Sequence, residues 1–166
     1  MPPRDRDIPG PGQESVWDYP RPPALVPSTR RVVVSVVDEH GTTSPVADTT
    51  AAYRVLETSH PPTWYVPRAD VLPAALTPSR ASSTWCEWKG AATYWDVFGL
   101  AAAAWSYERP TGGFGEITGH LAFSPALLRC EVDGELARPQ PGGFYAGWIT
   151  DDVVGPFKGG PGSWGW

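Results

Sequence analysis

The sequence predicts a single all-β domain, or a β-rich domain with at most one short helix. Segments rich in β-branched and aromatic residues recur along the chain, and the clearest is RRVVVSVV at 30–37. The 166 residues include 18 glycines and 20 prolines, which interrupt the chain too often for long helices. Seven or more short strands without a long helix favour small coiled antiparallel sheets or a barrel-like arrangement.

The individual elements follow from local patterns. The turn Asp38-Glu39-His40-Gly41 predicts a hairpin that joins 30–37 to a strand at 45–48. Residues 100–107 are rich in alanine, yet they are too few for a typical helix between Gly99 and Arg109-Pro110, so we interpret them as a strand. Residues 71–76 form either a helical turn or an extended stretch. Further strands are expected at 51–58, 64–66 and 117–123, and a hairpin at 129–137.

The two ends of the chain differ from its middle. Residues 1–14 are proline, glycine and charge, and we expect a flexible tail. Residues 15–166 form one domain. From Pro139 onward the chain is rich in glycine, proline and aromatic residues, which predicts a segment that wraps the body, with Trp148, Trp164 and Trp166 packed against it.

Composition excludes several classes of protein. A net charge of −5 argues against a nucleic-acid binder that neutralises phosphates with a basic face. No apolar run approaches the ~20 residues that span a bilayer, and the start lacks an apolar signal segment, so we expect a cytoplasmic protein with no membrane partner. Cys86 and Cys130 are too few for a disulfide framework, and they are either two thiols or one disulfide. No local spacing indicates a metal site, and no cofactor is expected.

The stretch Thr84–Val97 concentrates unusual residues. It holds three of the nine tryptophans and Lys89, one of only two lysines in the chain. A GC-rich genome, which favours arginine over lysine codons, would explain why lysine is scarce. Alternatively, a compact ammonium was retained at Lys89 because arginine would not serve there.

Titratable and aromatic residues elsewhere complete a candidate pocket. One hypothesis is a polar, aromatic-lined site around Lys89; the other is a set of structural ion pairs such as Arg54–Glu57 or Arg68–Asp70. His120 is either a hydrogen-bonded structural histidine or a further member of the site. The candidate ligand-binding residues are Lys89, Tyr94, Tyr65, Arg68, Glu57, Arg54, Trp105, Tyr107 and His120.

Several of these residues lie in segments that resemble a known family. The segments VLETSHPPTWYVPRADV, CEWKGAATYWDV, AAWSYERP and ITGHLAF resemble DUF427, a bacterial domain of unknown function, over roughly 32–128. The opening VWDYPRPP and the closing PQPGGFYAGW resemble longer actinobacterial members. The resemblance implies a compact β domain similar to the Mss4-like architecture, and the family is sometimes labelled nucleotidyltransferase-like. The paired C-x-x-C knuckles of zinc-binding Mss4-like proteins are absent from this sequence, so zinc is not implied.

These observations predict a small-molecule-binding β domain in which Lys89 anchors an anion or donates a proton. They assign no catalytic residue and leave open whether the domain is an enzyme. One alternative is a protein-interaction or homodimerisation module that uses Trp17, Trp148, Trp164 and Trp166. A second is nucleotidyltransferase-like activity, as the family label implies.

Overall fold

The computed structural model describes residues 2–166, and within them regular structure consists of sixteen short strands and four three-residue 3₁₀ helices. No α-helix occurs among these residues. The prediction of a β-rich domain of small sheets is therefore confirmed. The strands are β1 (Glu14–Ser15), β2 (Ala24–Pro27), β3 (Val32–Val37), β4 (Thr43–Thr49), β5 (Tyr53–Leu56), β6 (Thr63–Tyr65), β7 (Leu76–Pro78), β8 (Thr84–Cys86), β9 (Gly90–Val97), β10 (Leu100–Ser106), β11 (Leu121–Phe123), β12 (Arg129–Val132), β13 (Glu135–Leu136), β14 (Arg138–Pro139), β15 (Trp148–Ile149) and β16 (Val153–Val154). The 3₁₀ helices are Val16–Asp18, Arg68–Asp70, Pro73–Ala75 and Gly115–Ile117.

Five sheets build the domain, and they do not close into a barrel. The largest has the order β11-β10-β9-β7, with β8 paired to the other end of β9. A four-stranded sheet has the order β13-β12-β3-β4, and a three-stranded sheet the order β2-β5-β6. Two-strand pairs β14-β15 and β1-β16 complete the fold, the latter being parallel.

Most predicted strands form, several of them over shorter ranges than predicted. Strand β10 forms despite its alanines because Ala103 and Ala104 are fully buried, and packing outweighs the helix propensity of alanine. A bulge places Ala102 at φ 51°, and its N–H donates to a carboxylate oxygen of Asp96 at 2.8 Å. The predicted strand at 117–123 is wrong in its first half, because Gly119 at φ 70° turns the chain before β11 begins. Residues 71–76 contain a 3₁₀ turn followed by the start of β7.

The largest sheet separates two buried clusters of different composition. On one face lies the main core, which is mostly aliphatic, includes residues of the four-stranded sheet and contains Trp64 and Trp148. The other face meets the three-stranded sheet across the aromatic core, which comprises Val55, Tyr65, Ala92, Tyr107, Phe114, Ile117 and Ala122. Cys130 lies in the main core and Cys86 packs against the aromatic core, and both are free thiols.

A third cluster joins the two ends of the chain. Trp17 donates from its indole N–H to the carbonyl of Pro156 at 2.9 Å and packs edge-on against Trp166. The segment before it also contacts the C-terminal segment, since the N–H of Asp7 donates to Gly155 at 3.0 Å. The C-terminal segment therefore packs against the body, as the prediction for Trp148 and Trp166 required. The prediction is wrong for Trp164, which is 65% exposed.

Candidate functional site

Lys89 lies in the turn immediately before β9, with its ammonium near two aromatic rings. Its ammonium is 5.6 Å from the ring centroid of Tyr107 and 5.9 Å from that of Phe114. Its backbone carbonyl accepts from the N–H of Thr111 at 3.0 Å, which brings the loop 109–114 over the lysine. No carboxylate among residues 2–166 lies within 4.0 Å of the ammonium, so the rings are its nearest partners.

Strand pairing places the predicted aromatic residues beside this lysine. Tyr94 on β9 is directly opposite Trp105 on β10, and Tyr107 follows two residues later on the same face. Tyr65 enters from β6, with its ring centroid 6.3 Å from that of Tyr107. Burial raises the pKa of both Tyr65 and Tyr107, so both phenols stay neutral at physiological pH. The structure therefore brings Lys89, Tyr94, Tyr65, Trp105 and Tyr107 into one neighbourhood.

Glu57 is an acidic residue that interacts electrostatically with Lys89. Burial acts to raise the pKa of its carboxyl, but the hydrogen bond with His60 and the positive charges of Lys89 and Arg21 together lower it below its usual value. The Nε2 atom of His60 lies 3.3 Å from Oε2 of Glu57. Glu57 is therefore ionised, and its carboxylate interacts with both Lys89 and His60.

Gln140 fixes the orientation of His60. Its amide nitrogen donates to the carbonyl of Lys158 at 2.8 Å, while its amide oxygen accepts from the N–H of Gly147 at 3.1 Å. With the amide oriented in this way, its second N–H donates to Nδ1 of His60 at 2.9 Å. We infer that Nδ1 carries no proton and that the proton on Nε2 points to Glu57.

The three remaining predicted residues lie apart from Lys89. Arg68 pairs with Glu108 at 2.8 Å and stacks over Trp95, on the opposite face of the sheet. Arg54 pairs with Glu14 at 2.7 Å. The predicted pairs Arg54–Glu57 and Arg68–Asp70 are therefore wrong, because long-range folding brings other carboxylates closer.

His120 reaches only the edge of the aromatic core. Its ring centroid is 5.9 Å from that of Tyr53, and its Nδ1 atom lies 3.3 Å from the carbonyl of Thr118. Burial lowers the pKa of this imidazole despite the contact with that carbonyl. His120 is therefore held in place by its own turn, away from Lys89.

A cleft of about 340 Å³ opens on the outer side of the aromatic core. None of the nine predicted residues lines it, although Phe114 belongs both to the cleft and to the surroundings of Lys89. One wall is formed by Pro22 and Pro23, which we call the N-terminal arm, together with Leu25 of β2. Trp88 and the loop 111–114 form the other wall. The lining residues are Pro22, Pro23, Leu25, Glu87, Trp88, Thr111, Gly112, Gly113 and Phe114.

The sequence contained weak signals for this cleft. Trp88 immediately precedes Lys89, and the glycines of 111–115 marked a loop, but nothing in the sequence places that loop beside the tryptophan. The contact depends on Gly90 at φ 97°, where an added Cβ would lie 3.4 Å from both the Arg109 carbonyl and the Thr111 side chain. The assignment of the nine residues as ligand-binding stays a prediction.

The chain belongs to a family defined by sequence. The model of the domain of unknown function DUF427 matches residues 24–137, more than half of the chain, and this confirms the resemblance. All lining residues of the cleft except Pro22 and Pro23 lie within the match. No curated protein shows significant sequence similarity to the chain.

Two further findings concern the described residues. No helix among residues 2–166 is long and apolar enough to cross a membrane. Within the same range, no group of three or more His, Cys, Asp or Glu side chains is arranged to hold a metal ion.

Proposed function

We propose that this DUF427 domain binds a small ligand in the cleft between Trp88 and the N-terminal arm. The observation that carries the proposal is the cleft itself: it is recessed, largely apolar, and lined by two aromatic rings and two prolines. Its volume of about 340 Å³ lies at the lower end of the range for small-molecule sites, which suits a single ring with a short substituent.

Neighbouring residues support the same location. The ring of Phe114 is buried and packed against Lys89 on its inner side, which holds this wall of the cleft in place. The loop 111–114 is tied to Trp88 within the same wall, because the hydroxyl of Thr111 donates to the carbonyl of Trp88 at 3.3 Å. Because the cavity is preformed, binding does not require the protein to lose conformational entropy in order to shape the site.

Nuclear magnetic resonance with benzyl alcohol, a neutral single-ring probe, tests this proposal. Titration should shift the indole N–H resonance of Trp88, which the Trp88→Ala variant assigns by its disappearance, and the methyl resonances of Leu25, which report binding in both proteins. We expect Trp88→Ala to weaken binding by about 10-fold, the loss of one ring contact. The matched control is Trp85→Ala, since Trp85 lies on the same hairpin, is 71% exposed and does not line the cleft. Equal affinity in Trp88→Ala and the wild type would refute the proposal.

A protein-interaction role is the second candidate, favoured by two exposed aromatic residues in the C-terminal segment. Phe144 is 72% exposed and Trp164 is 65% exposed, and their rings meet edge to face at 6.0 Å. Of the four tryptophans named from the sequence, Trp148 and Trp17 are buried and only Trp164 is strongly exposed. Light scattering tests this candidate. A wild-type dimer that becomes monomeric in Phe144→Ser would support it, and a wild type that is monomeric at all concentrations would exclude homodimerisation.

The other expectations from the sequence stay predictions. Nucleotidyltransferase-like activity requires nucleotide binding, which calorimetry with magnesium and ATP or GTP measures directly. Residence in the cytoplasm is also a prediction from the sequence.

A further inference from the structure

The charge at the cleft is negative, although the lysine beside it is positive. Glu87 is the one charged side chain among the nine lining residues. It is exposed, and its carboxylate makes no ion pair or hydrogen bond with any of residues 2–166. Lys89 does not line the cleft, because its ammonium is turned inward to Tyr107 and Phe114.

Cations cover aromatic rings at several places in this protein. Arg6 lies over Trp17, Arg54 over Trp64 and Arg68 over Trp95, with ring distances of 4.7, 5.9 and 4.8 Å. No lysine or arginine among residues 2–166 covers Trp88, the aromatic residue next to Glu87. The cleft therefore offers an aromatic ring and a free carboxylate side by side, a pair that attracts an organic ammonium ion.

The positive charge of Lys89 opposes such a ligand only weakly. Glu57 interacts electrostatically with Lys89 and partly offsets its charge. The ammonium of Lys89 lies behind the ring of Phe114, whereas Glu87 is at the wall of the cleft itself. The nearest charge decides the preference.

We propose that the ligand of this cleft is a small amine, positively charged at neutral pH, whose apolar body lies between Trp88 and the wall of Pro22, Pro23 and Leu25 and whose ammonium pairs with Glu87. The inference rests on the proposed function, because it names the chemical class of ligand for the same cleft. Lys89 then supports the wall through Phe114 and does not touch the ligand.

Three probes that share one ring and differ in charge test the inference: benzylamine, benzyl alcohol and benzoate, titrated at pH 7 while the indole N–H of Trp88 is followed. On the wild type we expect benzylamine to bind about 5- to 10-fold more tightly than benzyl alcohol, and benzoate most weakly. In Glu87→Gln the advantage of benzylamine should fall to about twofold while the affinity for benzyl alcohol is unchanged. Glu116→Gln removes the same charge from the exposed surface of the adjacent turn outside the cleft, and it should behave as the wild type.

The outcomes separate the two claims. Binding of benzyl alcohol with benzoate preferred over benzylamine, or with an unchanged preference in Glu87→Gln, overturns the amine and leaves the cleft as a ligand site. A preference for benzoate would also favour the prediction that Lys89 anchors an anion. If none of the three probes shifts Trp88, the cleft proposal fails and the amine fails with it.

Discussion

The protein presents aromatic rings to solvent in two contrasting ways. At the cleft, Trp88 and Phe114 are half-buried or buried, and they form the walls of a recess within the family domain. In the C-terminal segment, Phe144 and Trp164 expose most of their surface and lie outside the family match. The comparison teaches that exposure of an aromatic ring does not by itself make a ligand site, because a small ligand requires a recess.

The two lysines repeat this contrast. Both follow an aromatic residue and precede a glycine. Lys158 lies over Tyr145, and its ammonium donates to the carbonyl of Trp166 at 3.2 Å. The ammonium of Lys89 lies near two rings and has no hydrogen bond to residues 2–166. The same local sequence thus fastens the C-terminal segment in one place and supports a cleft wall in the other.

The largest expected effect concerns the backbone contact that holds the C-terminal segment. A Cβ at Gly159 would lie 1.9 Å from the carbonyl oxygen of Pro141, and φ is 132°. We expect Gly159→Ala to lower the free energy of unfolding by about 3 kcal/mol or more, measured by urea denaturation. Gly160→Ala is the matched control, since nothing lies within 4 Å of its added Cβ, and it should change stability by less than about 1 kcal/mol. Equal stability of the two variants would mean that the segment is not held by this contact.

The next effect concerns Gln140, which joins the C-terminal segment to His60. In Gln140→Leu the Nδ1 atom of His60, the carbonyl of Lys158 and the buried N–H of Gly147 all lose a partner. We expect a loss of about 2–4 kcal/mol in unfolding free energy. Gln13→Leu removes an exposed amide that donates to a backbone carbonyl, and it should cost under about 1 kcal/mol. A loss at position 140 no larger than at position 13 would show that water replaces the network.

The smallest expected effect is a pH dependence of the unfolding free energy that is caused by Glu57. Its pKa in the folded protein lies below its usual value, so the unfolded chain binds the proton more readily. The stability that Glu57 contributes is fully present above the unfolded pKa of about 4.3, and it is lost as pH falls through the folded value. The difference in unfolding free energy between the wild type and Glu57→Gln should therefore shrink on acidification below about pH 5. A difference that stays constant down to pH 3 would show that Glu57 is not held by His60 and its neighbouring cations.

How much of this arrangement the sequence predicts depends on how local its cause is. The hairpin of β3 and β4 follows from Val32–Val37 and the turn after it, and the segment CEWKGAATYWDV carries Lys89 to a position beside the aromatic rings. Five predicted residues converge there because alternate positions of neighbouring strands share a face. These features need only strand periodicity and pairing between neighbouring strands.

The cleft could not be predicted because it depends on long-range contacts. Its walls come from the arm at Pro22-Pro23, the turn at Trp88 and the loop at Gly112-Gly113, which are far apart in the sequence. The ion pairs of Arg54 and Arg68 were predicted wrongly for the same reason. Each arginine pairs with a carboxylate about 40 residues away in the sequence and not with a nearby one. Similarly, the exposure of Trp164 reflects the path of a glycine-rich turn and not its residue type.

The central claim is that the recessed cleft, rather than the exposed aromatic pair, holds the ligand. Intermolecular nuclear Overhauser effects from the ring protons of bound benzyl alcohol test it most directly. We expect cross-peaks to the ring protons of Trp88 and Phe114 and to the methyl groups of Leu25. Cross-peaks confined to Phe144 and Trp164 would contradict the claim and move the ligand site to the C-terminal segment.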